Sequence, residues 1–205
     1  MEHVVIVSPG HYKRPGGSNT GAVGIGGFSE FELVGNVGKE LLAVLTTAGI
    51  RAVLGVCEKV RNRMRFAAGV LKENPSKRIV FVEIHANAFK EPQARGTETF
   101  VWPRGSKSEE LAGLIQSCLC RAFRKFDPSW KDRGVKYNWY AVLRKGFALD
   151  NGIKEKDYDT RFFPVLVELG FITNKKDLAV LGSPQGATAS SGALSLGVND
   201  WVLAA

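Results

Sequence analysis

The sequence predicts an α/β fold: a single domain with a mostly parallel, twisted β-sheet of about six strands, flanked by helices on both faces. Three observations carry this. The apolar runs at residues 4–7, 78–85 and 164–169 are rich in β-branched side chains and lack in–out alternation, as strands buried on both faces should be. Between the runs, apolar residues recur at helical spacing. With 205 residues, 44% hydrophobic and 23% charged, the chain has the size and balance of an ordinary globular domain, without a linker-like tract.

Taken in order, Val4-Val5-Ile6-Val7 ends in Ser8-Pro9-Gly10, a strand running into a loop. After a Gly-rich loop, Phe31, Val34, Val37, Leu41, Leu42 and Leu45 define one helix face, and Gly49 stops it. Residues 50–56 read as a second strand, 60–74 as a basic helix ended by Pro75, and 78–85 as a third strand. A fourth strand is expected at 97–102. Ser106-Lys107-Ser108-Glu109 then resembles a capping box opening a helix to about Phe126. A short strand is expected at 140–143 and the last strong one at 164–169. Asn174 and Asp177 cap a brief helix, 182–192 is a small-residue loop, and 193–204 forms a C-terminal helix.

Lys and Arg outnumber acidic residues 28 to 20, a formal charge of +8 that favours polyanions: nucleic acid, anionic membrane or acidic cell-envelope polymers. Charge does not choose among them. Cys57, Cys118 and Cys120 are odd in number and sit in a strand end and a helix, so free structural thiols are expected. The N-terminus lacks the basic leader and apolar core of a secretory signal, and no apolar run reaches the roughly 20 residues of a membrane span. The expectation is a chain made in the cytoplasm without a leader or a transmembrane segment.

In open α/β sheets, ligands bind beyond the carboxyl ends of the strands. His11 lies just past strand one, His85 ends strand three and Glu168 lies near the end of the last strand, so three distant segments converge on one mouth. Two imidazoles and a carboxylate suit a catalytic zinc. A single strand-end histidine is more often hydrogen-bonded structure than ligand, so spacing alone leaves the site open. His3 enters at the opposite end and is incidental.

Seven ordered motifs go further: Val7-Ser8-Pro9-Gly10-His11, Gly21-Ala22-Val23-Gly24, Glu32 with Asn36, Ile84-His85-Ala86-Asn87-Ala88, Gly96-Thr97-Glu98-Thr99-Phe100, Asp132-Arg133-Gly134-Val135-Lys136, and the run from Val165 through Glu168 to Asn174. Together they resemble the zinc-dependent N-acetylmuramoyl-L-alanine amidases of the Amidase_3 family. The motifs span residues 4–181, so one catalytic domain over 1–205, without a separate wall-binding module, is expected. The resemblance implies Zn2+ held by His11, Glu32 and His85, with Glu168 as catalytic acid/base. Glu32 is preferred over Glu30 because it stands four residues before Asn36, as the ligand of the resembled family stands before its Asn or similar residue, and Glu30 reads as a carboxylate favoured by a helix N-terminus.

Four departures from the family pattern stand out. Ser8 replaces a usual Asp, residues 12–18 form a longer loop, about a dozen extra residues around 146–160 precede the last strand, and Glu83 replaces a usual Ser. Loop changes at the mouth alter which peptidoglycan fits. Two before His85 on a strand, Glu83 shares its face, either as a partner of the zinc site or as a surface acid paired with a basic residue. Asn87, Arg133 and Lys136 are candidate substrate-binding residues. Asn87 also reads as a turn former, and the two cations as part of a solvated loop. Arg61, Arg63 and Arg65 read as a solvated helix face.

The function implied is cleavage of the bond between N-acetylmuramic acid and L-alanine of peptidoglycan, by a monomer that acts on the wall or periplasm after release. A phage or prophage endolysin is the first expectation and a spore-mother-cell lysin the alternative. A zinc peptidase acting on the peptide stem lacks its His-Glu-x-x-His signature here. A basic nucleic-acid-binding module lacks aromatics interleaved with its cations, Trp130, Trp139 and Tyr140 near Lys131 and Arg133 being the nearest candidates, so no nucleic-acid partner is expected.

Overall fold

The structure, a computed structural model, describes residues 3–11, 21–57 and 59–204. The longer loop expected at 12–18 lies outside them. The elements are β1 (His3–Pro9), α1 (Glu30–Thr47), β2 (Arg51–Leu54), α2 (Val60–Glu73), β3 (Arg78–Asn87), β4 (Thr97–Val101), α3 (Lys107–Phe123), β5 (Asp132–Tyr137), α4 (Lys145–Leu149), β6 (Phe162–Phe171), α5 (Lys175–Leu181) and α6 (Pro184–Ala204). They build one six-stranded sheet in the order β2-β1-β3-β6-β4-β5. All pairings are parallel except β4 with β6.

Alternate side chains of each strand feed two cores. Val5 and Val7, Val80, Val82 and Ile84, and Val165 and Val167 face α1, α3 and α6. Val4 and Ile6, Ile79 and Phe81, and Phe162 and Leu166 face α2 and the segment between β5 and β6. This period of two decides the site: Glu83 and His85 continue the Ile79–Phe81 row, and Glu168 continues the Leu166 row, so all three emerge on the α2 side.

Three expectations are corrected. Residues 140–143 form a 3-10 turn, Ala141–Leu143, not a strand. The fifth strand is instead β5, a half-exposed edge whose Asp, Arg and Lys hide any apolar pattern. The small-residue stretch expected as a loop at 182–192 is already helical from Pro184, because its small residues permit close packing. A Cβ at Gly186 would fall 1.9 Å from the Val180 carbonyl oxygen, and one at Gly197 would fall 2.7 Å from Ile115 Cα of α3. The residues around 146–160 do not form a mouth loop: Ala148, Ile153 and Tyr158 complete the second core, and the Tyr158 hydroxyl donates to the Leu143 carbonyl at 2.5 Å.

Helix caps follow the sequence in part. The Asn174 side chain accepts from the Lys176 and Asp177 N–H groups. Ser106 makes no side-chain cap bond; Glu109 instead accepts from the Gly105 N–H and the Tyr137 hydroxyl. All three cysteines are free thiols. Among the described residues no helix is long and apolar enough to cross a membrane.

Candidate metal centre and its surroundings

Beyond the carboxyl ends of β1 and β3, the chain brings His11, Glu30 and His85 together, with one potential ligand atom from each lying within 4.8 Å of the others. Glu30 opens α1 and points back over the sheet. Its Oε1 lies 3.0 Å from His85 Nδ1 and its Oε2 3.3 Å from His11 Nε2. The same oxygens accept the backbone N–H groups of Ala86 at 3.1 Å and Ala22 at 2.8 Å, so the carboxylate is aimed by four contacts. The imidazoles meet edge to face, with centroids 5.0 Å apart.

The backbone yields to make this possible. His11 has φ 58, a left-handed conformation unusual for a non-glycine residue and common at functional sites. Two glycines admit the rings: a Cβ at Gly10 would lie 2.4 Å from His85 Cε1, and one at Gly21, with φ 116, would lie 2.8 Å from His11 Cγ.

The expected ligand Glu32 is not in this cluster. Two residues along α1 is a rotation of about 200°, so Glu30 and Glu32 face opposite ways. Glu32 is exposed and lines a separate groove with Asn36, Lys39 and Glu40, whereas Glu30 is buried. The carboxylate that meets the histidines is Glu30.

Glu168 pairs in register with His85 across β3 and β6. With His11, Glu83 and His85 it lines one cavity of about 400 Å3, whose other walls include Arg63, Tyr140, Val142 and Leu166. Glu168 Oε2 is buried with no hydrogen-bond partner among the described residues. Burial, reinforced by the charges of Glu30 and Glu98 and opposed by His85, pushes the Glu168 carboxyl up to about 8. Burial works against the charge on Glu30, yet hydrogen bonds from His11, His85 and the Ala22 N–H hold it below the usual carboxylate range. For His85 burial disfavours the cation, but hydrogen bonds to Glu30 and Glu83 outweigh it and raise the ring to about 10.

Asn87, Arg133 and Lys136 converge on a residue the sequence reading did not single out. Asn87 Nδ2 donates to Glu98 Oε1 at 2.8 Å, while Arg133 Nε, at 2.6 Å, and Lys136 Nζ both donate to Glu98 Oε2. Glu98 is buried on β4 and lies opposite Glu168 in the antiparallel register with β6. Asn87 ends β3 and does not stand in a turn; its Oδ1 accepts the adjacent Ala88 N–H at 2.9 Å.

An open α/β sheet with a His–Glu–His cluster at its strand ends is thus a scaffold able to hold one metal ion beside a protonatable carboxylate. The chain belongs to the N-acetylmuramoyl-L-alanine amidase family, Amidase_3, whose model matches residues 5–200. An uncharacterized cell wall amidase of Bacillus anthracis is 34% identical over 130 residues, covering 60% of this chain and 21% of that protein. The amidase AmiC of Neisseria meningitidis is 33% identical over 113 residues, covering 55% of this chain and 26% of that protein. The chain therefore spans only about a fifth to a quarter of these two relatives. The amidase AmiC2 of Nostoc punctiforme shares the fold, with a TM-score of 0.75 at 24% identity, covering 98% of this chain and 97% of that one.

Proposed function

We propose that this protein is a zinc-dependent peptidoglycan hydrolase that cuts the amide between the lactyl group of N-acetylmuramic acid and L-alanine. The observation that carries the reading is the cluster of His11, Glu30 and His85, two of whose members, His11 and His85, line the same cavity as Glu168. Two imidazoles and a carboxylate are a common donor set for catalytic zinc, which leaves a position open for water. The ordered motifs and the family membership supply the substrate.

Zinc, when bound, supplies a Lewis acid that polarises the amide carbonyl and lowers the pKa of water. Glu168 takes the proton from the attacking water and returns it to the leaving L-alanine nitrogen. In the metal-free protein burial raises its carboxyl to about 8, and the charge of a bound cation would draw it back down toward the range of a general base at neutral pH. The partly exposed Arg133 and Lys136, held by Glu98, are assigned to meet the carboxylates of the peptide stem. Asn87 helps to hold Glu98 in place for them. We further assign the protein a lytic role as a monomeric phage or prophage endolysin.

Digestion of purified peptidoglycan, with the new ends identified by mass spectrometry, tests the activity. Intact stems with a free L-alanine amine and uncut glycan are expected. New reducing sugar ends, or cuts inside the stem, would remove the amidase assignment.

A further inference from the structure

Glu83 is a buried carboxylate on β3 two residues before His85, and its surroundings give it a task. It is 1% exposed, and its Oε1 meets both His85 Nε2, at 3.4 Å, and Arg63 Nη1. Arg63 is itself only 4% exposed, although its neighbours Arg61 and Arg65 point to solvent. Arg63 therefore does not belong to the solvated face expected of this helix. Its Nε donates to the Cys57 carbonyl at 3.1 Å, which fixes the guanidinium against the site.

Fold stability gives little reason for such a pair. A buried ion pair is often no better than apolar residues of the same volume, because desolvation cancels the attraction. What an apolar pair cannot do is accept a hydrogen bond from the imidazole. His85 has two nitrogens with different neighbours: Nδ1 faces Glu30 in the metal-competent cluster, and Nε2 faces Glu83.

We propose that Glu83, clamped by Arg63, is a positioning residue that keeps the His85 proton on Nε2, so that Nδ1 presents its lone pair to the metal. A metal-bound imidazole commonly donates its other N–H to an acceptor that fixes the tautomer and raises ligand basicity. A carboxylate accepts more strongly than a serine hydroxyl. Arg63 holds that buried carboxylate in place through its guanidinium. This inference rests on the proposed zinc centre.

The test begins with the zinc-loaded protein itself. Long-range 15N–1H spectra of its imidazoles are expected to show His85 protonated at Nε2 and coordinated through Nδ1. The opposite tautomer overturns the proposal without any mutation. Zinc affinity is then measured by competition with a chromophoric chelator for Glu83→Gln and for the double variant Glu83→Leu/Arg63→Met. The double variant removes both charges together and so guards against misfolding around a lone buried cation.

A ten- to hundredfold weaker affinity is expected in both, with a changed visible spectrum of the cobalt-substituted protein. A folded double variant with wild-type affinity and an unchanged spectrum reduces the pair to structure and sinks the idea. A wild-type protein that binds no zinc removes the metal centre itself, a separate result.

Discussion

Replacing Glu30 and Glu32 in turn separates the buried carboxylate from its exposed neighbour. Glu30→Ala removes one of three candidate ligands. Structural zinc sites bind with roughly 10–16 kcal/mol over four ligands, or about 3 kcal/mol each, so the loss corresponds to about a hundredfold or more in affinity. Glu30→Ala also strips the acceptor from the N–H groups of Ala22 and Ala86. At about 1–3 kcal/mol per unsatisfied buried group, the fold loses roughly 2–6 kcal/mol, a large share of the 5–15 typical of a domain. The melting temperature should fall by on the order of 10 °C. Glu30→Gln keeps one acceptor oxygen for one of the two N–H groups, so it removes the charge at roughly half that stability cost.

Glu32→Ala, at an exposed position, should change stability by less than about 0.5 kcal/mol and leave zinc content at the wild-type level. Elemental analysis after dialysis, beside thermal melts with and without zinc, reads both effects. A Glu32→Ala protein that loses its metal while Glu30→Gln keeps it would refute the reasoning from geometry.

Three further outcomes are expected. Glu168→Gln preserves shape but cannot accept a proton, so zinc content and melting temperature should hold while hydrolysis falls about a hundredfold to ten-thousandfold; a variant with near-normal rate would remove Glu168 from catalysis. In chelated protein the His85 ring, raised to about 10, is protonated at pH 8, and a ligand nitrogen must lose that proton. Zinc uptake should therefore release protons, and affinity should rise with pH up to that value; calorimetry in buffers of different ionisation enthalpy checks the count, and a flat profile from pH 7 to 9 contradicts it. Asp177→Ala should cost roughly 3–5 kcal/mol, read as a lower urea midpoint, because Asp177 accepts from the N–H groups of Gly96 and Phe171 and from Arg95 Nε.

The legible parts of the fold were those whose pattern was set by the core. β1, β3 and β6 are buried on both faces and read as unbroken apolar runs. β5 is a polar edge that owes its conformation to pairing with β4, a non-local cause that leaves no mark on its own residues. The apolar residues at 140–143 suggested a strand because burial in the second core needs Val142 and Leu143 whatever the backbone does. At the site, the strand ends placed His11 and His85 at one mouth, where their rings meet, while their role as ligands came from the motif resemblance and belongs to the proposed zinc centre. The choice between Glu30 and Glu32 was not, because both lie in the first turn of α1, and only the rotation of the helix against the sheet decides which one reaches inward. Arg63 was hidden for the same reason among three arginines of one helix.

Four carboxylates crowd this end of the sheet, and their neighbours give each a different part. Glu83 is held by Arg63, and Glu98 by Arg133 and Lys136. Glu30 is held by two imidazoles and two backbone N–H groups. Each of these is committed to its partners, and a proton arriving there would break hydrogen bonds that aim the carboxylate. Glu168 differs: its buried Oε2 has no hydrogen-bond partner among the described residues, and its pKa is raised to about 8 by burial and the nearby acids. Environments that push similar groups apart in pKa are how one site separates acid–base work from ligand work. The same surroundings that make Glu168 costly to charge leave it the carboxylate whose protonation disturbs the least structure, which is what a group that must take a proton and give it back in each turnover requires.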